Sequence, residues 1–363
     1  MATALTIRSV EIRAVDAPMD PPLRNSLNVI DRAPLVIAEI QTEEGPRGTA
    51  YAFAYASAAL GPLAALTHNI GTSLIGRSVA PVTLWDELQN GHRLLGAEGL
   101  VEMAISVLDM ALWDALAKAA DLPLARLLGG DLTPLPAYGS LRGWGPAMVA
   151  EEAGRTVAAL GVRAVKFKLG APRLADDLAT VRAVREAVGE EVEILVDYNQ
   201  GLDRPEALRR GLAMQAEGVR WIEEPLHVTD DEGLAWLSSQ LEVPIQGGEN
   251  WWGVTGMARS LAARATDLCM PDVMKMGGIT GFLRGMALAG AHRVPLSSHI
   301  FIEASAHLLS VSPNRHYLEH LDIAGALLKE PLVVKDGNAQ ISARSGLGLD
   351  WDEQALRRYA ANA

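Results

Sequence analysis

Ile194-Leu195-Val196-Asp197-Tyr198-Asn199-Gln200 carries a short apolar run onto a carboxylate. The same event recurs at Trp221-Ile222-Glu223-Glu224-Pro225 and at Gln246-Gly247-Gly248-Glu249-Asn250. Asp197, Glu223 and Glu249 are thus spaced 26 and 26 residues apart. In a (β/α)8 barrel a strand, loop, helix and return loop take about 25–30 residues, and reacting groups sit at the C-terminal ends of the strands. Equal spacing therefore sets three carboxylates side by side on one rim. So placed they repel, unless a hard cation joins them, and oxygen ligands favour Mg²⁺. The register selects Glu223 as the ligand and leaves Glu224 to support it or to pair with a cation.

Outward from this stretch, short apolar strands alternate with amphipathic helices. Strands are expected at 135–140, 164–169, 193–197, 220–224, 243–247, 267–271, 294–298 and 317–321, with helices such as 176–188 and 204–217 between them. Alternation of this kind implies a parallel sheet, and eight strands imply a closed barrel. Upstream the style differs. Residues 5–15 and 35–55 read as strands, the second broken into a hairpin by Glu44-Gly45-Pro46. Asp20-Pro21-Pro22-Leu23-Arg24-Asn25-Ser26 reads as an irregular loop suited to a lid. From Ala58 to Ala119 the period is helical, with Val101, Ile105, Leu108 and Leu112 on one face. The fold class is α/β. Residues 1–133 form an α+β capping domain, 134–328 a modified TIM-type (β/α)8 barrel with a degenerate last unit, and 329–363 a segment that packs back on the cap.

The chain has 363 residues, 32 Lys and Arg against 44 Asp and Glu, and a net charge of −12. That length suits a barrel plus an accessory domain. So acidic a surface argues against nucleic acid or an anionic membrane as partner, but not against a small anionic substrate met by local cations. One cysteine, Cys269, allows no intrachain disulfide and reads as a buried strand residue. Neither a signal core nor a bilayer-length apolar run is evident, so a cytoplasmic protein is expected.

Other polar residues join the carboxylate rim. In Val165-Lys166-Phe167-Lys168, alternation turns both lysines to one face, the barrel interior. Two close ammonium groups lower the pKa of at least one, which makes a general base. Asn199 shares a strand face with Asp197, where its amide can bind a substrate hydroxyl. Asp272 lies 23 residues after Glu249, and His299 lies 27 after that, each at the end of a strand. Neighbouring strands bring them together, so the carboxylate orients the imidazole and raises its basicity. Glu319 follows 20 residues on. Buried opposite Lys168 and His299 it stays protonated and donates to developing charge, unless it pairs with an arginine such as Arg315. A metal clamp with bases on two sides suits removal of a proton next to a carboxylate and stabilisation of the resulting enediolate.

These residues resemble the enolase superfamily, and within it the mandelate racemase subgroup. The motifs VKFKLG, VDYNQ, WIEEP, GENW, MPDVMKMGG, SSHIF and YLEHLD carry the resemblance through the barrel in order and spacing. They look more like mandelate racemase than like the acid-sugar dehydratases. The resemblance implies Mg²⁺ on Asp197, Glu223 and Glu249. It implies Lys168 as the (S)-face base and His299, with Asp272, as the (R)-face base. Lys166 would neutralise the substrate carboxylate with help from Ser140, Glu319 would be the electrophilic acid, and Asn199 would contact the α-hydroxyl. Leu23, Leu27 and Ile30 in the lid, with Tyr55, Ile300 and Leu321, would form an apolar wall that suits an apolar side group better than a polyol. The resemblance also suggests a homo-oligomer, with an octamer as its size.

Arg24 departs from the apolar lid. Turned inward it would meet a second polar or anionic group on the substrate; turned outward it is a solvated residue. Arg142 and Trp144 pose the same alternative. Racemisation of a 2-hydroxy acid such as mandelate is therefore expected, with dehydration of an acid sugar to a 2-keto-3-deoxy product as the alternative. A barrel that only binds or assembles would lack a base or a ligand, and none is missing.

Overall fold

A computed structural model describes residues 5–25 and 28–361; Leu27 of the expected wall falls outside them. The chain opens with a three-stranded antiparallel sheet of β1 (Ile7–Arg24), β2 (Val29–Thr42) and β3 (Arg47–Phe53) in that order. The segment read as an irregular lid loop is instead strand as far as Arg24. Leu23 pairs with Ile30, and Arg24 with Val29. The register shifts between Pro18 and Leu23, because Pro21 and Pro22 bring no N–H to the ladder. The proline signal thus marks a bulge within a ribbon, not the end of one.

Helices α1 (Ser57–Thr72), α2 (Pro81–Gly91), α3 (Leu100–Ala119) and α4 (Leu124–Leu127) complete the cap. In α3 the residues Val101, Ile105, Leu108 and Leu112 are buried, but so are most others around its circumference, as expected of a helix enclosed on all sides. Its approach to β3 depends on Gly48, where a Cβ would collide with the Ala111 carbonyl and with Ala115.

The barrel runs β4 (Leu135–Ser140), α5 (Pro146–Leu160), β5 (Ala164–Lys168), α6 (Leu174–Val188), β6 (Glu193–Asp197), α7 (Arg204–Ala216), β7 (Trp221–Glu223), α8 (Asp231–Gln240), β8 (Ile245–Gly247), α9 (Gly253–Ala263), β9 (Leu268–Cys269), α10 (Gly278–His292), α11 (Ile302–Ser310) and β10 (Leu318–His320). Strands β4 to β9 pair in parallel in chain order, and β10 pairs with β4. The seventh position is reduced to single bridges: Leu296 joins Cys269 on one side and Arg315 on the other. These contacts close the circuit. The degeneracy lies in this seventh strand, where Pro295 cannot donate to a ladder.

Period-two alternation stacks the interior in layers. Tyr138, Ala164, Leu195 and Trp221 form a small cluster of their own, with Leu268 and Tyr317 against it. The Tyr138 and Trp221 rings meet edge-on at 5.8 Å, and Tyr138 meets Tyr317 at 6.0 Å. Two residues further along the same strands lie Ser140, Lys166, Asp197, Glu223 and Glu319. An aromatic floor therefore carries a polar layer directly above it, on the same inward faces.

The tail divides. Strands β11 (Val334–Lys335) and β12 (Asn338–Ala339) make a hairpin that pairs antiparallel with the start of β4. Beyond it the chain turns to the cap: Leu347 N donates to Asp114 Oδ1 at 2.6 Å and Trp351 Nε1 to Thr49 Oγ1 at 2.8 Å. Asp16 N then donates to the Tyr359 carbonyl at 2.9 Å, beside the last helix, α12 (Glu353–Arg358). No helix among the described residues is long and apolar enough to cross a membrane. Cys269 is buried, and burial pushes its thiol up.

Cap and barrel also meet through a buried acid. Tyr51 Oη on β3 donates to Glu303 Oε2 on α11 at 2.7 Å, and the Tyr51 ring lies 5.1 Å from that of Phe301. Burial, aided by Asp322, pushes Glu303 up from 4.5 to about 7. A carboxyl group raised on folding stabilises the fold fully below its unfolded pKa, and that contribution fades as pH climbs through the folded value. Glu303→Gln keeps the acceptor for Tyr51 but does not titrate. Urea unfolding across a pH series should show its stability relative to wild type improving by about 3 kcal/mol between pH 4.5 and pH 7.5. A difference that stays flat with pH would mean Glu303 is not the buried acid of this interface.

Candidate active site

The carboxylate triad lies where the spacing puts it. Asp197 and Glu223 end β6 and β7 as register partners, and Glu249 stands two residues beyond β8. One oxygen from each falls within 4.8 Å of the other two. Asp197 and Glu223 are fully buried, and Glu223 Oε2 has no hydrogen-bond partner. Burial raises Asp197 and holds Glu223 well above the usual carboxylate range, although Lys166 pulls both down. Crowded acids without a counter-ion do this, and an orphaned buried oxygen facing two others fits a hard divalent cation.

Lys166 and Lys168 both project inward. Lys166 Nζ sits between Glu223 Oε1 at 2.6 Å and Glu319 Oε1 at 2.7 Å. Burial alone would lower Lys166, but these two carboxylates outweigh it and hold it well above the lysine range. The sequence argument that two adjacent ammonium groups depress each other therefore fails at Lys166, because each lysine has its own acid. Lys168 Nζ lies 3.9 Å from Asp197 Oδ2. It also borders a cavity of about 320 Å³ lined in part by Trp144, Leu169, Ala171 and Pro172.

On the far side of the triad, His299 Nδ1 meets Asp272 Oδ2 at 2.7 Å, and its Nε2 faces Glu249 Oε2 at 3.2 Å. Asp272 and His299 are bridge partners on adjacent strand ends. Burial would lower His299, but Glu249, Asp272 and Glu319 together raise it. Glu319 accepts from Ile300 N at 3.0 Å. Burial would raise Glu319 too, yet Lys166, His299 and Lys168 hold it well below the carboxylate range. The expectation of a protonated Glu319 is thus not met in this arrangement: its partner is Lys166, and Arg315 turns instead to the Ser310 carbonyl.

The remaining expected residues surround this centre. Ser140 is strand partner to Lys166, and its buried Oγ has no protein partner. Asn199, at φ 43°, donates from Nδ2 to Asp197 Oδ2 at 2.9 Å while its Oδ1 is unpaired. Such a left-handed conformation suits asparagine better than most side chains. Tyr55 is close enough to Asp272, Glu249 and Glu319 that burial and these charges hold its phenol well above its usual range. Ile300 and Leu321 are buried, and Leu23 and Ile30 face each other, half-buried, on the ribbon. The ribbon is tied to the barrel rim. Arg24 N donates to the Arg142 carbonyl at 2.9 Å, and Arg142 Nη1 donates to the Pro21 carbonyl at 3.1 Å. Arg142 also donates to the Asp322 carbonyl, so its guanidinium is a strut and not a free anion site. The Arg24 side chain is half-buried and has no hydrogen bond or ion pair to a described residue.

Sequence reasoning passed over Asn250 and Lys275. Asn250 Nδ2 donates to Glu224 Oε2 at 2.7 Å and to Glu249 Oε1 at 3.0 Å, and Lys275 Nζ donates to Asn250 Oδ1 at 2.7 Å. Glu224 is therefore supported by an amide and does not pair directly with a cation. A lysine three residues after Asp272, inside an apolar run, was the available signal.

Comparison with known proteins agrees with this geometry. Residues 7–129 match the N-terminal domain of the mandelate racemase / muconate lactonizing enzyme family, and residues 148–355 match the enolase C-terminal domain-like family. L-talarate/galactarate dehydratase of Salmonella typhimurium is 34% identical over 89% of this chain and 82% of its own length. D-galactarolactone cycloisomerase of Agrobacterium fabrum is 28% identical over 98% of this chain and 99% of its own. An enolase from Bradyrhizobium, solved with magnesium and mandelic acid, superposes with a TM-score of 0.95 at 44% identity over 100% of both chains.

Glu249→Gln, which removes one anionic ligand and leaves the size unchanged, should weaken Mg²⁺ binding by at least about a hundredfold, beyond what loss of an outer hydrogen-bond partner costs. Titration calorimetry with MgCl₂ reads this directly, and unchanged affinity would remove Glu249 from the metal site.

Proposed function

The chain belongs to the mandelate racemase / muconate lactonizing enzyme family of the enolase superfamily, enzymes of Mg²⁺-dependent proton abstraction, and we propose that it racemises a 2-hydroxy acid with an apolar side group, of the mandelate type. One observation carries the reading: two bases flank one carboxylate triad from opposite ends. Lys168 stands against Asp197, and the His299–Asp272 pair stands against Glu249.

Asp197, Glu223 and Glu249 would hold Mg²⁺, and the bound ion would supply Lewis-acid polarisation of the substrate carboxylate. Lys168 takes the α-proton from one face, and the C–H electron pair moves into the carboxylate to give an enediolate. His299, as the imidazolium oriented by Asp272, returns a proton to the opposite face. In the other direction the two exchange roles. Lys166 balances the substrate carboxylate, and Ser140 Oγ, unpaired within the protein, donates to it. Once the substrate brings further negative charge beside Glu319, that charge favours the protonated acid, which then donates to the developing enediolate. Asn199 offers its unpaired Oδ1 to the α-hydroxyl. Tyr55, Ile300, Leu321 and, with Leu23 turned inward, the ribbon residues Leu23 and Ile30 would give an apolar wall, which would leave the hydroxyls of a polyol unpaired.

A second reading is dehydration of an acid sugar, in which His299 passes its proton to a departing hydroxyl. Two observations favour it: the likeness to L-talarate/galactarate dehydratase, and an Arg24 guanidinium without a partner among the described residues. The wall and the neighbour solved with mandelic acid favour racemisation.

Proton NMR of (R)- and (S)-mandelate with enzyme and Mg²⁺ in D₂O, with polarimetry alongside, separates the readings. Racemisation predicts loss of the α-proton signal together with decay of optical rotation. His299→Asn should then lower racemisation by about 10²–10⁴-fold or more while α-proton exchange persists on the enantiomer served by Lys168. Equal loss of exchange on both enantiomers would sink the two-base assignment. No exchange on mandelate, with a 2-keto product from an acid sugar, would establish the dehydratase.

A further inference from the structure

Lys275 lies outside the triad and both bases, yet it is buried, at 5% exposure, in the turn that follows β9. Its ammonium makes one hydrogen bond, to Asn250 Oδ1 at 2.7 Å. It also stands 4.6 Å from the centre of the Tyr55 ring and 5.7 Å from that of Trp252. The turn itself is pinned by Asp272, whose Oδ1 accepts from Met274 N at 2.7 Å and Lys275 N at 3.1 Å while Oδ2 holds His299. Gly253 N, just after Trp252, donates to the Lys275 carbonyl at 2.8 Å.

The bond to Asn250 decides which way that amide faces. With Oδ1 taken by a cation, Nδ2 must point at Glu224 Oε2 and Glu249 Oε1. Glu249 Oε1 is thereby fixed, and Oε2 is left directed at His299 and the triad. Glu224, buried and in a left-handed conformation at φ 37°, has its only amide partner here and a second oxygen with none. Turned the other way, the amide would set its oxygen against two carboxylates. A methionine of similar length would fill the same space and meet the same rings. Packing alone therefore does not call for a charge that costs desolvation.

Tyr55 belongs to the cap, and Glu249 to the barrel. We propose that Lys275 is a positioning residue that links them. Held beneath the Tyr55 ring, it fixes the Asn250 amide, so the wall of the substrate pocket and the metal carboxylate Glu249 are set by one cation. The inference rests on the assignment of the triad to Mg²⁺ made above. It follows that Mg²⁺ affinity depends on residues that never touch the ion, and that removing the Tyr55 ring disturbs the metal as well as the substrate.

The test is calorimetric titration of MgCl₂ into substrate-free enzyme, for wild type, Lys275→Met, Asn250→Ala and the double variant, with thermal unfolding in EDTA as the control for folding. Lys275→Met should bind Mg²⁺ about 10–100-fold more weakly without a lower melting temperature in EDTA. The double variant should be no worse than the worse single one, because both act through one amide. Tyr55→Leu should weaken Mg²⁺ in the same direction. If Lys275→Met does not fold, Lys275→Leu, which likewise removes donor and charge, takes its place. Wild-type affinity in the lysine variant, or losses that add in the double variant, would overturn the proposal. Failure of the wild type to bind Mg²⁺ would instead overturn the metal assignment beneath it.

Discussion

A lysine ammonium held between two buried carboxylates is the constraint on which the rest of this protein depends. Lys166 meets Glu223 and Glu319 deep in a barrel whose other inward residues on that level are Asp197 and Ser140. Burying so much negative charge is tolerable only where cations are built in or bound, since an unpaired buried charge costs several kcal/mol. Lys166 answers for two of the acids and Lys275, through Asn250, for a third and fourth. The triad is left with more negative charge than the protein balances. That imbalance is what makes the site a receptor for a divalent cation and an anionic substrate, not a finished ion-pair network.

The aromatic floor makes this possible. Tyr138, Trp221 and Tyr317 pack ring to ring below the polar layer, an apolar support on which the buried acids stand. The cap is in turn fastened by polar contacts, two of them buried, Tyr51 to Glu303 of the barrel and Asp114 to the tail at Leu347, and one exposed, Arg142 to the ribbon at Pro21. The cap's Tyr55 reaches the carboxylates, and its ribbon is tied to the loop after β4, so the site depends on both domains.

Much of this was legible because strand alternation and unit length are strict. Equal spacing of Asp197, Glu223 and Glu249 picked out the three acids that converge, and the i, i+2 rule turned Lys166 and Lys168 to one face. What the pattern did not disclose were the interactions that cross between units. Lys166 is held up by Glu223 and Glu319, far from it in sequence, so the argument from its neighbour Lys168 does not hold at Lys166. The ribbon was misread because proline content reports a missing donor, and a bulge tolerates that as well as a loop does. Asn250 and Lys275 escaped notice because neither is chemically distinctive until the Glu224 and Glu249 oxygens are seen on either side of the amide.

The balance of racemase and dehydratase turns on where charge is left over at the pocket mouth. Proton abstraction next to a carboxylate is common to both, and the polar layer that performs it is complete within the barrel. On the reading proposed above, discrimination belongs to the ribbon, where Leu23 and Ile30 are strand partners and Arg24 follows at once. A strand sends successive side chains to opposite faces, so Leu23 and Arg24 cannot both turn to the substrate unless the ribbon twists at its tip. With Leu23 inward the pocket is apolar and Arg24 meets solvent. With Arg24 inward, a second anionic group on the substrate would be matched and the apolar wall broken. On that reading, which face of the ribbon turns inward separates the two chemistries, while the centre beneath serves either.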